Sequence, residues 1–210
     1  FCVLMFVGGL SWKIIGGVLA VAVPSVLVFL SIVMQEGQTL IKDYQRDRIM
    51  AFFDPATYAD TEAYQQLNSV IAIGSGQLWG KGLNNTDIAS VKNGNFLPES
   101  QTDFIFAVIG EELGFIGSAA VILLLILIAM RCVSIARVAK DTAGMVIAAG
   151  MGSLIGIQGF MNIAVATMMM PNTGLPLPFV SYGLSSLVSM YIGIGFVLNV
   201  GLQRKNLYNL

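Results

Sequence analysis

The residue best placed for chemistry is Asp103. The segment Asn95–Phe106 (NFLPESQTDFIF) closes a long polar stretch and runs into an apolar one, so Asp103 stands where a loop becomes a helix. A carboxylate fixed there can accept a proton as a general base. A plainer role is also open: Ser100 and Asp103 form an S-x-x-D capping pair, and an acid in a first turn suits the helix dipole. The two readings are compatible, because a capped Asp at the rim of a cavity is still a fixed carboxylate. Glu111 and Glu112 follow two turns deeper, inside the apolar run. Ionisable groups within a membrane are costly and mark function. Adjacent helical side chains differ by about 100°, so at most one of the pair points well into a cavity. The chain has no His, which leaves acid–base work to Asp, Glu, Lys, Tyr or water. Cys2 and Cys132 sit in or beside apolar runs and make neither a disulfide framework nor a metal site. Gly74–Gly82 (GSGQLWGKG) misses the Walker spacing, since Ser75 stands where the first Gly is needed. Asn84-Asn85-Thr86 is a single match to a glycosylation sequon.

The elements that must position these residues are membrane helices. Apolar residues make up 56% and charged residues 11% of the 210, against about 25% charged in a soluble domain. A bilayer core of about 30 Å takes about 20 helical residues to cross. Four stretches qualify: Ile14–Met34 with Pro24 inside it, Phe104–Met130 with Glu111 and Glu112, Ala143–Met170, and Phe179–Leu202. Residues 1–10 read as the tail of a further span. Phe1 opens inside an apolar run with no Met and no basic n-region, which suggests a truncated helix rather than a signal peptide. The expected fold is an all-α, polytopic transmembrane helix bundle forming a single membrane domain, here a fragment of a longer protein.

Charge sets the expected orientation. Lys13, then Arg131, Arg137 and Lys140, then Arg204 and Lys205 fall at alternate ends of successive spans, and the positive-inside rule assigns them to the cytoplasm. Cys132 and the C-terminus are then cytoplasmic, and residues 35–103 form a long extracytoplasmic loop. Its lysines and arginines do not oppose this, since long loops translocate largely regardless of charge. A loop of that length is usually functional. Within it Lys42–Met50 is helix-compatible and interfacial, Phe53–Tyr64 reads as a turn, and Gln65–Ile73 is apolar enough to dip back toward the membrane. The glycines Gly144, Gly150, Gly152, Gly156 and Gly159 favour close helix packing, and Gln158 and Asn162, four apart, point into the bundle.

Leu97–Gly117 (LPESQTDFIFAVIGEELGFIG) resembles the signature of the SEDS family, the RodA, FtsW and SpoVE proteins of bacterial elongation, division and sporulation. Asp43–Pro55 (DYQRDRIMAFFDP), Ile71–Leu83 (IAIGSGQLWGKGL) and Gly174–Ser186 (GLPLPFVSYGLSS) agree with it in order and spacing. Gly9–Trp12 and DYQRDRI look more like the RodA branch. The resemblance covers the whole chain and implies about the second half of a ten-helix protein of the bacterial plasma membrane. Two departures are visible. Leu184 stands where the family usually has a second Gly, which puts in doubt any role needing bare backbone there, and Gln101 stands where a His is common.

The resemblance implies a peptidoglycan glycosyltransferase. Such an enzyme polymerises lipid II outside the membrane, together with a class B penicillin-binding protein, and Asp103 matches the family's essential carboxylate. The acceptor sugar hydroxyl attacks the donor's anomeric carbon while a lipid pyrophosphate leaves. The carboxylate takes the hydroxyl proton, and the leaving group needs cations. Lys81 and Lys92 are the candidates for that, with Arg46 and Arg48 behind them. Glu111, Glu112, Ser181 and Tyr182 are further candidates for the substrate groove. No cofactor and no metal-ligand cluster is evident, and Mg²⁺ or Mn²⁺ bridging the pyrophosphate stays open. The expected neighbours are lipid II, the penicillin-binding partner and membrane lipids, not nucleic acid, and the fragment alone is not expected to be active. Two rival functions remain. One is a flippase for the lipid-linked precursor, which the Glu pair suits. The other is a non-catalytic scaffold that activates the penicillin-binding protein.

Overall fold

The computed structural model describes residues 2–34, 41–83 and 101–203. Lys92, Ser100, Arg204, Lys205, Asn95 and the sequon at Asn84–Thr86 lie outside the described residues. The helices are α1 (Cys2–Val7), α2 (Trp12–Val33), α3 (Asp43–Phe53), α4 (Tyr64–Ser75), α5 (Ile105–Arg137), α6 (Thr142–Ala166) and α7 (Leu184–Leu202). Of these, α2, α5, α6 and α7 are long and apolar enough to cross a bilayer. A helix meets its own backbone hydrogen bonds, which is what an apolar medium demands. Pro24 leaves α2 continuous. The chain is a polytopic helical membrane protein.

The centre of the bundle is the α5–α6 pair. A Cβ on Gly152 would stand 2.9 Å from the Ala129 carbonyl of α5, and one on Gly159 would stand 3.5 Å from Leu125. These glycines let the two backbones approach. Gly156 also faces Ala129 of α5, whereas Gly150 meets Leu4 of α1 and Gly144 meets Val200 of α7. Phe104, Phe106, Ile155, Leu177, Met190 and Val197 are buried where α5, α6, α7 and the segment before α7 meet.

The helix ends differ from those read off hydropathy, for local reasons. α5 continues past Met130 to Arg137, so Arg131 and Arg137 ride on its last turns. α6 stops at Ala166 rather than Met170. Met168 is left-handed (φ 58°), and the Met169 N–H reaches back to the Ala164 carbonyl at 2.7 Å while Met168 N–H bonds Val165. That is a Schellman closure with Met in the place usually taken by Gly, at a cost of about 1 kcal/mol. α7 begins at Leu184 rather than Phe179. Phe179 is itself left-handed (φ 63°), and Pro176 and Pro178 keep the preceding stretch out of a helix.

α4 returns to the bundle and packs between α5 and the end of α6. Carbonyls in a helix's last turn lack helical donors, and α4 supplies some. Gln66 Nε2 donates to the Val165 and Met170 carbonyls (3.0 and 2.8 Å), and Ser69 Oγ donates to Ala166 (2.7 Å). The dip expected from Gln65–Ile73 is therefore a helix held by two buried polar side chains as well as by its apolar face.

Cys132 is 2% exposed, on the face of α5 that meets Gly152 of α6. A thiol reagent cannot reach it from either side, so it cannot report orientation. Asp60 and Lys140 are exposed. In an otherwise cysteine-free whole protein, a membrane-impermeant reagent on intact cells is expected to label Asp60→Cys. Lys140→Cys is expected to react only after permeabilisation. The reverse pattern would invert the topology.

Candidate functional site

Asp103 lies half-buried in a turn at 101–104, one residue ahead of Phe104, the N-cap of α5. It thus precedes the first turn of the helix rather than sitting in it. The turn is bolted to residues 171–183, the stretch between α6 and α7. Asn162 of α6 donates both amide hydrogens, one to the Asp103 carbonyl and one to the Leu175 carbonyl, each at 2.7 Å. Ser181 Oγ donates to the Thr102 carbonyl (2.6 Å) and accepts from the Leu177 N–H (2.6 Å). The Tyr182 N–H donates to the Gln101 carbonyl at 2.8 Å, and Gln158 Nε2 donates to the Pro176 carbonyl at 2.9 Å. Gly174 (φ 66°) lies directly against the Asp103 carboxylate: a Cβ there would be 3.4 Å from Oδ2. Asn172 accepts from the Gly174 N–H (3.2 Å) and donates to Gln65 of α4 (3.3 Å). The carboxylate therefore sits at a junction of α4, α5, α6 and the 171–183 stretch.

A second polar centre lies two turns along α5. Gly114 has φ 66° and ψ −162°, which breaks the helix, and only Gly adopts such values readily. The break removes acceptors from Phe115 and Ile116 and donors from Glu111 and Glu112. The stretch 77–82 repairs it. Phe115 N–H bonds the Gln77 carbonyl (2.9 Å) and Ile116 N–H bonds Leu78 (3.3 Å). In return Lys81 and Gly82 donate to the Glu111 and Glu112 carbonyls (2.9 and 3.0 Å). The approach is so close that a Cβ on Gly76 or Gly80 would overlap the carbonyls of Gly110 and Glu112. The side chains follow: Lys81 Nζ pairs with Glu111 Oε1 at 2.7 Å, with Glu111 1% exposed.

The structure thus groups the residues singled out by sequence into two centres. Asp103 and Ser181 belong to the rim, whereas Lys81 and Glu111 form the deeper pair; Glu112 is half-buried beside it. Ser181 is buried with its hydroxyl engaged as both donor and acceptor. Tyr182 is 76% exposed and Leu184 is 82% exposed, so the Leu at 184 is not packed into the core of the described residues. Arg46 is drawn to the end of α2, where Nε donates to the Val33 carbonyl at 3.3 Å, a cation at a helix C-terminus. Sequence reasoning set Asn162 in the bundle but missed its tie to Asp103. Its acceptors are backbone carbonyls, which carry no side-chain signal.

Four bilayer-length helices, a re-entrant α4 and a carboxylate at the helix rim define a polytopic membrane protein with a polar site at one edge of its bundle. The chain belongs to the FtsW/RodA/SpoVE family, described as cell cycle proteins, whose profile matches residues 1–206. It is 41% identical over 203 residues to the peptidoglycan glycosyltransferase MrdB of Escherichia coli, covering 97% of this chain and 52% of that protein. It is 38% identical over 205 residues to a probable peptidoglycan glycosyltransferase FtsW of Nitrosomonas europaea, covering 96% and 50%. A solved structure from work on coordinated polymerization and crosslinking by a peptidoglycan synthase complex matches with a TM-score of 0.70 at 29% identity, covering 97% of this chain and 53% of that one. The chain spans about half the length of the curated relatives it matches.

The Lys81–Glu111 pair generates a stability prediction. Removing one member of a buried pair strands the other. Since Lys81 is partly exposed, Glu111→Gln is expected to cost on the order of 2 kcal/mol, lowering the melting temperature of the purified whole protein. Glu112→Gln should cost less, and Lys81→Met combined with Glu111→Leu should recover part of the loss. Equal effects of the two Gln variants would refute the assignment.

Proposed function

We propose that this chain carries the catalytic carboxylate of a peptidoglycan glycosyltransferase, and that Asp103 is that group. The observation that carries the reading is the mounting of Asp103, a half-buried carboxylate outside the first turn of α5 whose backbone is held by Asn162. In the reaction the acceptor hydroxyl oxygen bonds to the donor's anomeric carbon. The bond from that carbon to the pyrophosphate oxygen breaks, its electron pair leaves with the lipid pyrophosphate, and the hydroxyl proton passes to Asp103. The names of the relatives support the activity, and the solved synthase complex supports a crosslinking penicillin-binding partner. The substrate is lipid II, and the site faces the outside of the bacterial plasma membrane, as the positive-inside reading requires.

Charge compensation for the leaving group is divided differently from the sequence expectation. Lys81 is paired with Glu111, so the pyrophosphate calls on Lys92, on cations from the remaining half of the protein, or on Mg²⁺ or Mn²⁺. A divalent ion, where present, would supply positive charge to the pyrophosphate as it leaves. The pairing of Glu111 also argues against a flippase, because the deep carboxylate is neutralised by a fixed lysine.

The test is Asp103→Asn in the whole protein. The change keeps shape and hydrogen bonding and removes the charge. Loss of one local hydrogen bond costs about 1 kcal/mol, whereas loss of a general base costs about a hundred- to ten-thousand-fold in rate. The variant is expected to reach normal levels, bind its partner and fail to polymerise lipid II. Near-normal polymerisation would return Asp103 to a structural role, and loss of partner binding together with activity would favour the scaffold.

A further inference from the structure

The geometry points to Asn162 as the positioning residue for Asp103, with Ser181 as its second anchor; the inference rests on the reading of Asp103 as the base. Asn162 is 1% exposed and stands on α6, a helix that contributes no carboxylate to the site. Both hydrogens of its amide are committed, one to the carbonyl of Asp103 itself and one to that of Leu175, each at 2.7 Å. The amide orientation is dictated by these partners. Turned over, it would set its oxygen against two carbonyls. One nitrogen therefore fixes the backbone carrying the base relative to the backbone beside Gly174, the wall against which the carboxylate rests.

Ser181 repeats the device one residue before Asp103 and two residues after Leu175. It joins the Thr102 carbonyl to the Leu177 N–H through one hydroxyl, at 2.6 Å on both sides. A hydroxyl so engaged and 1% exposed acts on the substrate through Thr102 and Asp103, not by touching it. Ser181 is thereby moved from the substrate-contacting set to the positioning set. The remaining acceptor, Asn162 Oδ1, is buried with no hydrogen-bond partner among the described residues. This polar group is retained at a cost, as expected where the amide is needed for its two donors. A leucine of similar size would fill the space but could not donate.

Turnover per folded molecule separates positioning from mere stabilisation. In the whole protein with its partner, Asn162→Leu is expected to lower kcat about ten- to a hundred-fold, as displacement of a catalytic group by an ångström does. KM for lipid II should stay within about threefold, because the substrate itself is not touched. The acid limb of the rate–pH profile, set by ionisation of the base, should move. If Asn162→Leu does not fold, Ser181→Ala carries the same test. Its expected loss of kcat should be partly rescued by Ser181→Thr, which restores the hydroxyl. Unchanged kcat per folded molecule with an unmoved acid limb, or a loss confined to protein level, would overturn the positioning role. Those outcomes leave the Asp103 reading intact when Asp103→Asn is inactive. An active Asp103→Asn would instead remove the base and this inference with it.

Discussion

Without water, a backbone N–H or C=O that lacks a partner costs several kcal/mol, and the irregular parts of this protein are arranged around that constraint. The chain leaves the regular helix at Gly114, at the end of α6 and at the rim around Asp103. At Gly114 the stretch 77–82 exchanges four backbone hydrogen bonds with α5. At the end of α6, a Schellman closure combines with Gln66 and Ser69. At the rim, Asn162, Ser181 and Gln158 supply what the prolines and turns cannot. Each repair joins segments far apart in sequence, so the polar connections that satisfy the backbone also build the site.

α5 carries both polar centres, and they differ in kind. At the rim, neutral donors hold the backbone that carries a carboxylate, and Gly174 lies against that carboxylate. Two turns away a carboxylate and an ammonium are paired, with the carboxylate out of solvent. The deeper carboxylate is thus balanced by its own lysine, two turns from the rim.

The spans were legible in the sequence because hydropathy and bilayer thickness constrain one another, and the change from polar to apolar residues put Asp103 at a loop–helix boundary. The exact ends were not. Met168 and Phe179 take left-handed conformations that their side chains disfavour, so no local signal announces them. Gly114 was hidden because a glycine in a membrane helix ordinarily serves packing. The Lys81–Glu111 pair bridges 30 residues, and a lysine in a glycine-rich loop reads as solvated. Gln158 and Asn162 were correctly set facing the bundle by their spacing, yet Asn162's tie to Asp103 is made through a carbonyl, which every residue possesses.

The anchoring of α4 also constrains how the protein is made. Gln66 and Ser69 find their partners 97 to 104 residues later in the chain, at the end of α6. Ribosomes deliver the chain from its N-terminus at about 5–20 residues per second. α4 therefore emerges several seconds before the carbonyls that hold it, with the whole of α5 still to be synthesised and threaded into the bilayer. During that interval its two buried polar side chains have no native seat, and only the arrival of α6 lets the re-entrant helix dock. Assembly of the junction around Asp103 is consequently a late event in biogenesis, timed by the insertion of α6.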